Sequence, residues 1–99
     1  MSFYTIKEAI RDGACLRLSL ADGEYIVEPH LLGRNSGGDM LLRAYQVRGP
    51  RSEGNKACWK LIPLDRISHA VEIGNRFEDR RPGYRPNDRA MTGGIIERR

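Results

Sequence analysis

No run of about 18 apolar residues occurs in this 99-residue chain, so no helix is expected to cross a membrane. The opening stretch, MSFYTIKEAI, lacks both the basic n-region and the long apolar h-region of a secretory signal. Cysteine is scarce: Cys15 and Cys58 stand alone, and without a sign of secretion two reduced thiols are expected rather than a bridge. These absences lead to the expectation of a cytoplasmic protein. Catalytic signatures are missing as well. The chain holds no Gly-x-Ser-x-Gly, no P-loop, no His-Glu-x-x-His and no Gly-x-Gly-x-x-Gly. Its stretch GRNSGGD lies between two strand-like segments and not before a helix, which makes it a poor phosphate cradle. Cys15, Cys58, His30 and His69 show no close ligand spacing, so neither a metal nor another cofactor is expected. A catalytic pair built on Asp65 lacks a third group. The expectation is a protein that is not an enzyme.

What is present suits one ordinary globular domain, 39% hydrophobic and 30% charged. A chain of this length buries about 60–65% of the surface it exposes unfolded, enough for one modest core. The net charge of +4 is uneven. Residues 1–33 carry three basic and five acidic side chains, whereas residues 34–99 carry fourteen and eight. Arginine supplies 14 of the 17 cations. Its planar fork suits carboxylate and phosphate and stacks on bases, although a compositional bias toward arginine has the same appearance.

The pattern along the chain reads as a helix followed by short strands. Thr5 and Glu8 have the spacing of a capping box, Ile6, Ala9 and Ile10 share one face, and Gly13 is placed to stop the helix. In CLRLSL, Leu16, Leu18 and Leu20 alternate with Cys15, Arg17 and Ser19, the period of a half-buried strand. An Asp-Gly turn in ADGE leads to the return strand EYIVEPHLLG, where Pro29 is expected at an edge or an end because it donates no hydrogen bond. MLLRAYQVRG is a third strand, with Leu42, Ala44 and Gln46 on one face and Leu41, Arg43, Tyr45 and Val47 on the other. PRSEGNK is a polar loop, ACWKLIPL a fourth strand and SHAVEI a fifth. Beyond Ile73 the composition turns polar and basic, and this segment is expected to be an extended, partly flexible tail anchored by Phe77, Tyr84 and GGII. It lies free, straps over its own domain, or exchanges with another subunit.

The order of these pieces, with VEPHLLG, a strand ending RAYQ, and WKLIPLDRISHAVEI followed by Phe77, resembles the WYL-domain family over roughly residues 5–77. That family comprises small Sm-like or Src-homology-3-like β-barrels found in bacterial transcriptional regulators. The resemblance implies a mainly-β, single five-stranded barrel over residues 1–77, with a short N-terminal helix and a basic, partly flexible C-terminal tail over 78–99. The family's Trp-Tyr-Leu triplet falls on Met40-Leu41-Leu42, where only the leucine is kept. Its usual helix-turn-helix domain has no counterpart ahead of the first helix, so a stand-alone barrel is expected.

The candidate ligand-binding residues are Arg66, Arg43, Tyr45, Trp59 and His30. Arg66 matches the arginine of the family's Asp-Arg-Ile corner, which implies a contact to a charged ligand. The plainer reading is a 3₁₀ corner with Leu64 and Ile67 turned inward. Arg43 and Tyr45 share a strand face, and Trp59 flanks them if it too points outward. Arginine beside an aromatic ring is what a nucleotide or single-stranded nucleic acid needs, although both rings serve equally well as cover for the helix. His30 matches the position after the family's proline, and is otherwise a surface or hinge histidine. The expected function is a non-enzymatic regulatory module that binds an anionic ligand, nucleotide or single-stranded nucleic acid. The alternative is a protein-interaction or homo-oligomerisation module acting through a strand edge and residues 75–99.

Overall fold

A computed structural model of the chain describes residues 2–50 and 58–99. Most of the polar loop expected at 50–56 lies outside the described residues. The protein is mainly β, with one antiparallel sheet and one short helix. None of its described helices is long and apolar enough to cross a membrane.

Helix α1 spans Phe3–Asp12 and buries Ile6, Ala9 and Ile10, the face that the spacing predicts. It starts earlier than the capping-box reading allows. The Ile6 N–H donates to the Ser2 carbonyl at 2.9 Å, so the first turn closes from residue 2 and Thr5 lies inside the helix. Gly13 ends it in the left-handed region at φ 70°, donating to the Ala9 carbonyl. The orphan carbonyls of Ile10 and Arg11 each accept from the Arg99 guanidinium at 3.2 Å, which ties the helix to the chain's last residue.

The strands are β1 (Ala14–Leu20), β2 (Gly23–Arg34), β3 (Met40–Arg48), β4 (Cys58–Pro63), β5 (His69–Arg76) and β6 (Gly94–Arg98). Their order is β4-β3-β2-β1-β5, with β6 added against β2. The first hairpin turns on Ala21 and Asp22, and Gly23, at φ 138°, already pairs with Leu20. Between β4 and β5 the chain makes a 3₁₀ turn over Leu64–Arg66, closed by the Ile67 N–H on the Leu64 carbonyl. Leu64 and Ile67 turn toward the core while Asp65 and Arg66 are exposed, as the corner reading expects.

Pro29 departs from expectation. It sits in the middle of β2, opposite Ala44, and neither ends the strand nor marks a sheet edge. The reason is a change of neighbour. Residues 23–27 of β2 pair with β1, residues 31–34 pair with β6, and the register on β3 shifts between Pro29 and Leu31. A proline's missing donor is tolerated at such a bulge.

The main core lies between α1 and the sheet: Ile6 and Ile10 pack with Leu16, Leu18, Val27, Leu32, Leu42 and Ile62. A smaller cluster of Leu31, Leu41 and Met91, with Tyr84 and Ile95 against it, forms under the C-terminal segment. That segment, the expected tail, folds back on the protein's own sheet. It makes a 3₁₀ turn at Arg89–Met91 and contributes β6, a sixth strand beyond the five expected.

Candidate anion-binding cleft

Alternation along β3 places Leu42, Ala44 and Gln46 in the interior and turns Arg43 and Tyr45 to the opposite face. Register then sets Trp59 of β4 directly across from Tyr45, with ring centroids 5.5 Å apart and edge to face. This face is crossed by residues 77–93, held at one end by the Phe77 N–H on the Gly13 carbonyl at 2.8 Å.

Side-chain contacts fasten the crossing segment along its length. Arg81 grips Glu28 with two hydrogen bonds of 2.7 and 3.0 Å, and its guanidinium lies 4.6 Å from the centre of the Tyr45 ring. The Arg81 N–H donates to His30 Nε2 at 3.2 Å. Trp59 Nε1 donates to the Pro82 carbonyl at 2.9 Å. Arg43 holds Asp88 through two bonds of 2.7 and 3.2 Å, and Asp88 also accepts the Ala90 N–H, capping the 3₁₀ turn. Gly83 makes the approach to Trp59 feasible: at φ 93°, with a Cβ that would sit 2.9 Å from Trp59 Nε1, the position accepts little else.

His30 is fully buried, not a surface or hinge residue. Its ring lies within 4.8–5.4 Å of the rings of Trp59, Phe77 and Tyr84. Because Nε2 accepts from Arg81, the proton belongs on Nδ1, which faces the Glu28 carbonyl at 2.7 Å. Both ring nitrogens are thus satisfied by a neutral imidazole. Burial pushes the His30 pKa below its ordinary value, against the raising pull of the Glu28 carbonyl. Asp88 is also shifted down, first by its hydrogen bonds from Arg43.

Between the crossing segment and β3–β4 lies a cleft of about 550 Å³, lined by Arg43, Trp59, Gly83, Tyr84, Arg85, Asp88, Arg89 and Ala90. Among the described residues three guanidinium groups and one carboxylate line it. Asp88 is committed to Arg43, and neither Arg85 nor Arg89 makes an ion pair among the described residues. Two aromatic rings, Trp59 and Tyr84, share the lining. Chemically this is a positively charged recess with flat apolar surface, suited to an anion that carries a ring.

Of the five expected site residues, the fold gathers Arg43, Tyr45, Trp59 and His30. Only Arg43 and Trp59 line the cleft; Tyr45 lies under Arg81, and His30 supports the aromatic cluster from within the protein. Arg66 stands elsewhere, exposed beside Asp65 on two other surface clefts that Arg43 does not line. The residues that the sequence reading missed, Tyr84, Arg85, Asp88 and Arg89, all lie in RPGYRPNDR. Arginines interleaved with a tyrosine were the available signal. Among the described residues no three His, Cys, Asp or Glu side chains converge to hold a metal, and Cys15 and Cys58 are free thiols. Comparison with protein-family models, with curated proteins and with solved structures gave no match in any of the three.

Proposed function

We propose that this protein is a non-enzymatic module that binds an anionic, ring-bearing ligand, a nucleotide free or within a single strand, in the cleft between β3–β4 and the C-terminal segment. One observation carries the reading: Arg85 and Arg89, two cations without ion-pair partners among the described residues, line the same recess as Trp59 and Tyr84. The energies are of the right size. One stacked base is worth roughly 1–3 kcal/mol and each charge-assisted hydrogen bond roughly 1.5–3 kcal/mol. Two arginines and one ring therefore give roughly 4–9 kcal/mol, the millimolar to micromolar range. In this reading Arg66 is a corner residue and Tyr45 and His30 are supports.

The fold reading that accompanies it is a small Sm-like or Src-homology-3-like barrel of the WYL kind, serving in regulation. Two features support it: β5 turns back to pair with β1, as a closing barrel requires, and the 3₁₀ corner falls at Leu64–Arg66 within the PLDRI stretch.

Trp59 is the chain's one tryptophan and lines the cleft, so its fluorescence reports on binding directly. Titration with adenosine 5′-monophosphate and with a short single-stranded oligonucleotide, at low and moderate salt, is expected to quench it. Affinity should fall as salt rises and on Arg85→Ala or Arg89→Ala. Absence of any change with either ligand at low salt contradicts the proposal. Tighter binding of the oligonucleotide would extend the site beyond one nucleotide.

The interaction-module reading keeps one observation in its favour. Among the described residues the outer edges of β4 and β5 have no partner strand, and Leu61 and Val71 are exposed on them. Deleting residues 75–99 is no clean test of it, because the deletion also removes β6. Val71→Lys, with the oligomeric state followed by sedimentation, is the better experiment.

A further inference from the structure

Asp88 occupies an unusual place in the cleft. An arginine fork recognises carboxylate and phosphate by the same two-pronged geometry. Arg43 already has such a partner, the Asp88 carboxylate at 2.7 and 3.2 Å, supplied by the same short segment that brings Arg85 and Arg89 to the recess. Apart from Arg43, the Asp88 carboxylate accepts one hydrogen bond, from the Ala90 N–H at 2.9 Å, at the cap of a three-residue turn that its backbone carbonyl also closes by accepting the Met91 N–H. It is the single carboxylate among the described residues that line the cleft.

We infer that Asp88 is an internal stand-in for the ligand's anionic group, and that binding exchanges it for the ligand on Arg43. The inference rests on the cleft being an anion site, as proposed above, and adds how that site is regulated. A phosphate monoester carries close to two negative charges and three acceptor oxygens, against one charge and two oxygens for Asp88. With Arg85 and Arg89 at hand it is the stronger partner for Arg43. In the exchange the two Arg43 hydrogen bonds pass from Asp88 to the phosphate and Asp88 turns to solvent. The Ala90 N–H loses its acceptor, so the Arg89–Met91 turn loosens as the ligand enters. The free protein thereby keeps its cleft charge partly neutralised, and weak anions, unable to displace Asp88, are discriminated against. The apparent affinity is lowered by the work of displacement, as for any site whose competent state is a minor one.

The test is a double-mutant cycle on Arg43 and Asp88, with adenosine 5′-monophosphate as probe and Trp59 fluorescence as readout. Asp88→Asn suits it, because asparagine caps a helical turn as well as aspartate does and preserves the hydrogen bond from Ala90. Thermal unfolding confirms that each variant is folded. Asp88→Asn is expected to tighten binding about tenfold, Arg43→Met to weaken it, and Asp88→Asn in the Arg43→Met background to change it less than twofold. Amide spectra of the wild type should show the Ala90 N–H moving as nucleotide is added. If the gain from Asp88→Asn persists without Arg43, Asp88 acts only through its field and the exchange is overturned. No gain in the single variant overturns it equally, and in both cases binding by the wild type leaves the cleft reading standing. Failure of all four proteins to bind removes both.

Discussion

The sheet with its helix, residues 3–76, and the segment that follows it, 77–99, are held by different forces. The first rests on apolar burial. Thirteen buried residues form its cluster among the described residues, against three in the cluster under the C-terminal segment. At about 1.5–3 kcal/mol for each fully buried large aliphatic side chain, the larger cluster dominates the stability of the whole. The second region is fastened by polar contacts to that scaffold: Arg81 on Glu28, Asp88 on Arg43, Trp59 on Pro82 and Arg81 again on His30. Such contacts are directional and sensitive to charge. They suit a segment that lines the proposed binding cleft, and they make it the region expected to open at lower free energy.

The largest expected effect breaks the scaffold itself. Leu42→Ala, at a fully buried position, should cost about 2–5 kcal/mol and lower the whole urea transition without changing its slope. Next come changes that strike the segment alone, and they should be unequal. The Glu28 side chain is 8% exposed and that of Arg81 40%. Arg81→Met leaves a buried carboxylate without its cation, for a cost of about 3 kcal/mol. Glu28→Gln leaves an arginine that can still reach water, and should cost about 1 kcal/mol. Urea midpoints of the two variants check the order, and amide exchange should show β6 released before β2 and β3.

The contrast between the regions is also a contrast in legibility. Leu16 and Leu18 alternate with Arg17, Gly13 follows an apolar helix face, and LDRI sits between two apolar runs, so helix, strands and corner were readable from local pattern. The C-terminal segment has no such period. Its contacts reach far along the chain, 45 positions in Arg43–Asp88 and 53 in Glu28–Arg81, and no local rule reports pairs of that kind. β6 is only five residues long, with Ile95 and Ile96 adjacent, and does not alternate. Pro29 misled because the rule against proline in a central strand assumes one continuous neighbour on each side, whereas β2 changes from β1 to β6 there. Arg43 and Trp59 could be placed side by side from the sequence because they lie on regular strands. Arg66 was favoured for its place in a motif, and the fold sets it apart from them.

Acid should act on the segment before the scaffold. The His30 pKa is lowered by folding, so the unfolded chain binds the proton more readily and stability falls with pH below the ordinary histidine value of 6.5. A protonated ring turns Nε2 into a donor facing the Arg81 N–H, with the Arg81 and Arg99 guanidinium groups close by and the Glu28 carboxylate as the one nearby anion among the described residues. Urea midpoints should be level between pH 8 and 7 and drop toward pH 5, and His30→Gln should remove most of that slope. Asp88 adds a second loss only well below, as pH falls past the ordinary carboxylate value of 3.8, because its pKa is also depressed. The smallest effect belongs to Arg66→Ala. At an exposed position outside the cleft it should change stability by less than about 0.5 kcal/mol and nucleotide affinity by less than twofold.

We propose that the C-terminal segment and the β3–β4 face together make an anion site, and amide chemical-shift mapping with adenosine 5′-monophosphate at low salt is the decisive experiment. Shifts are expected at Arg43, Trp59, Tyr84, Arg85, Arg89 and Ala90, fading as salt is raised, with the 64–67 corner unmoved. Shifts centred on Arg66, or none at all, would contradict it.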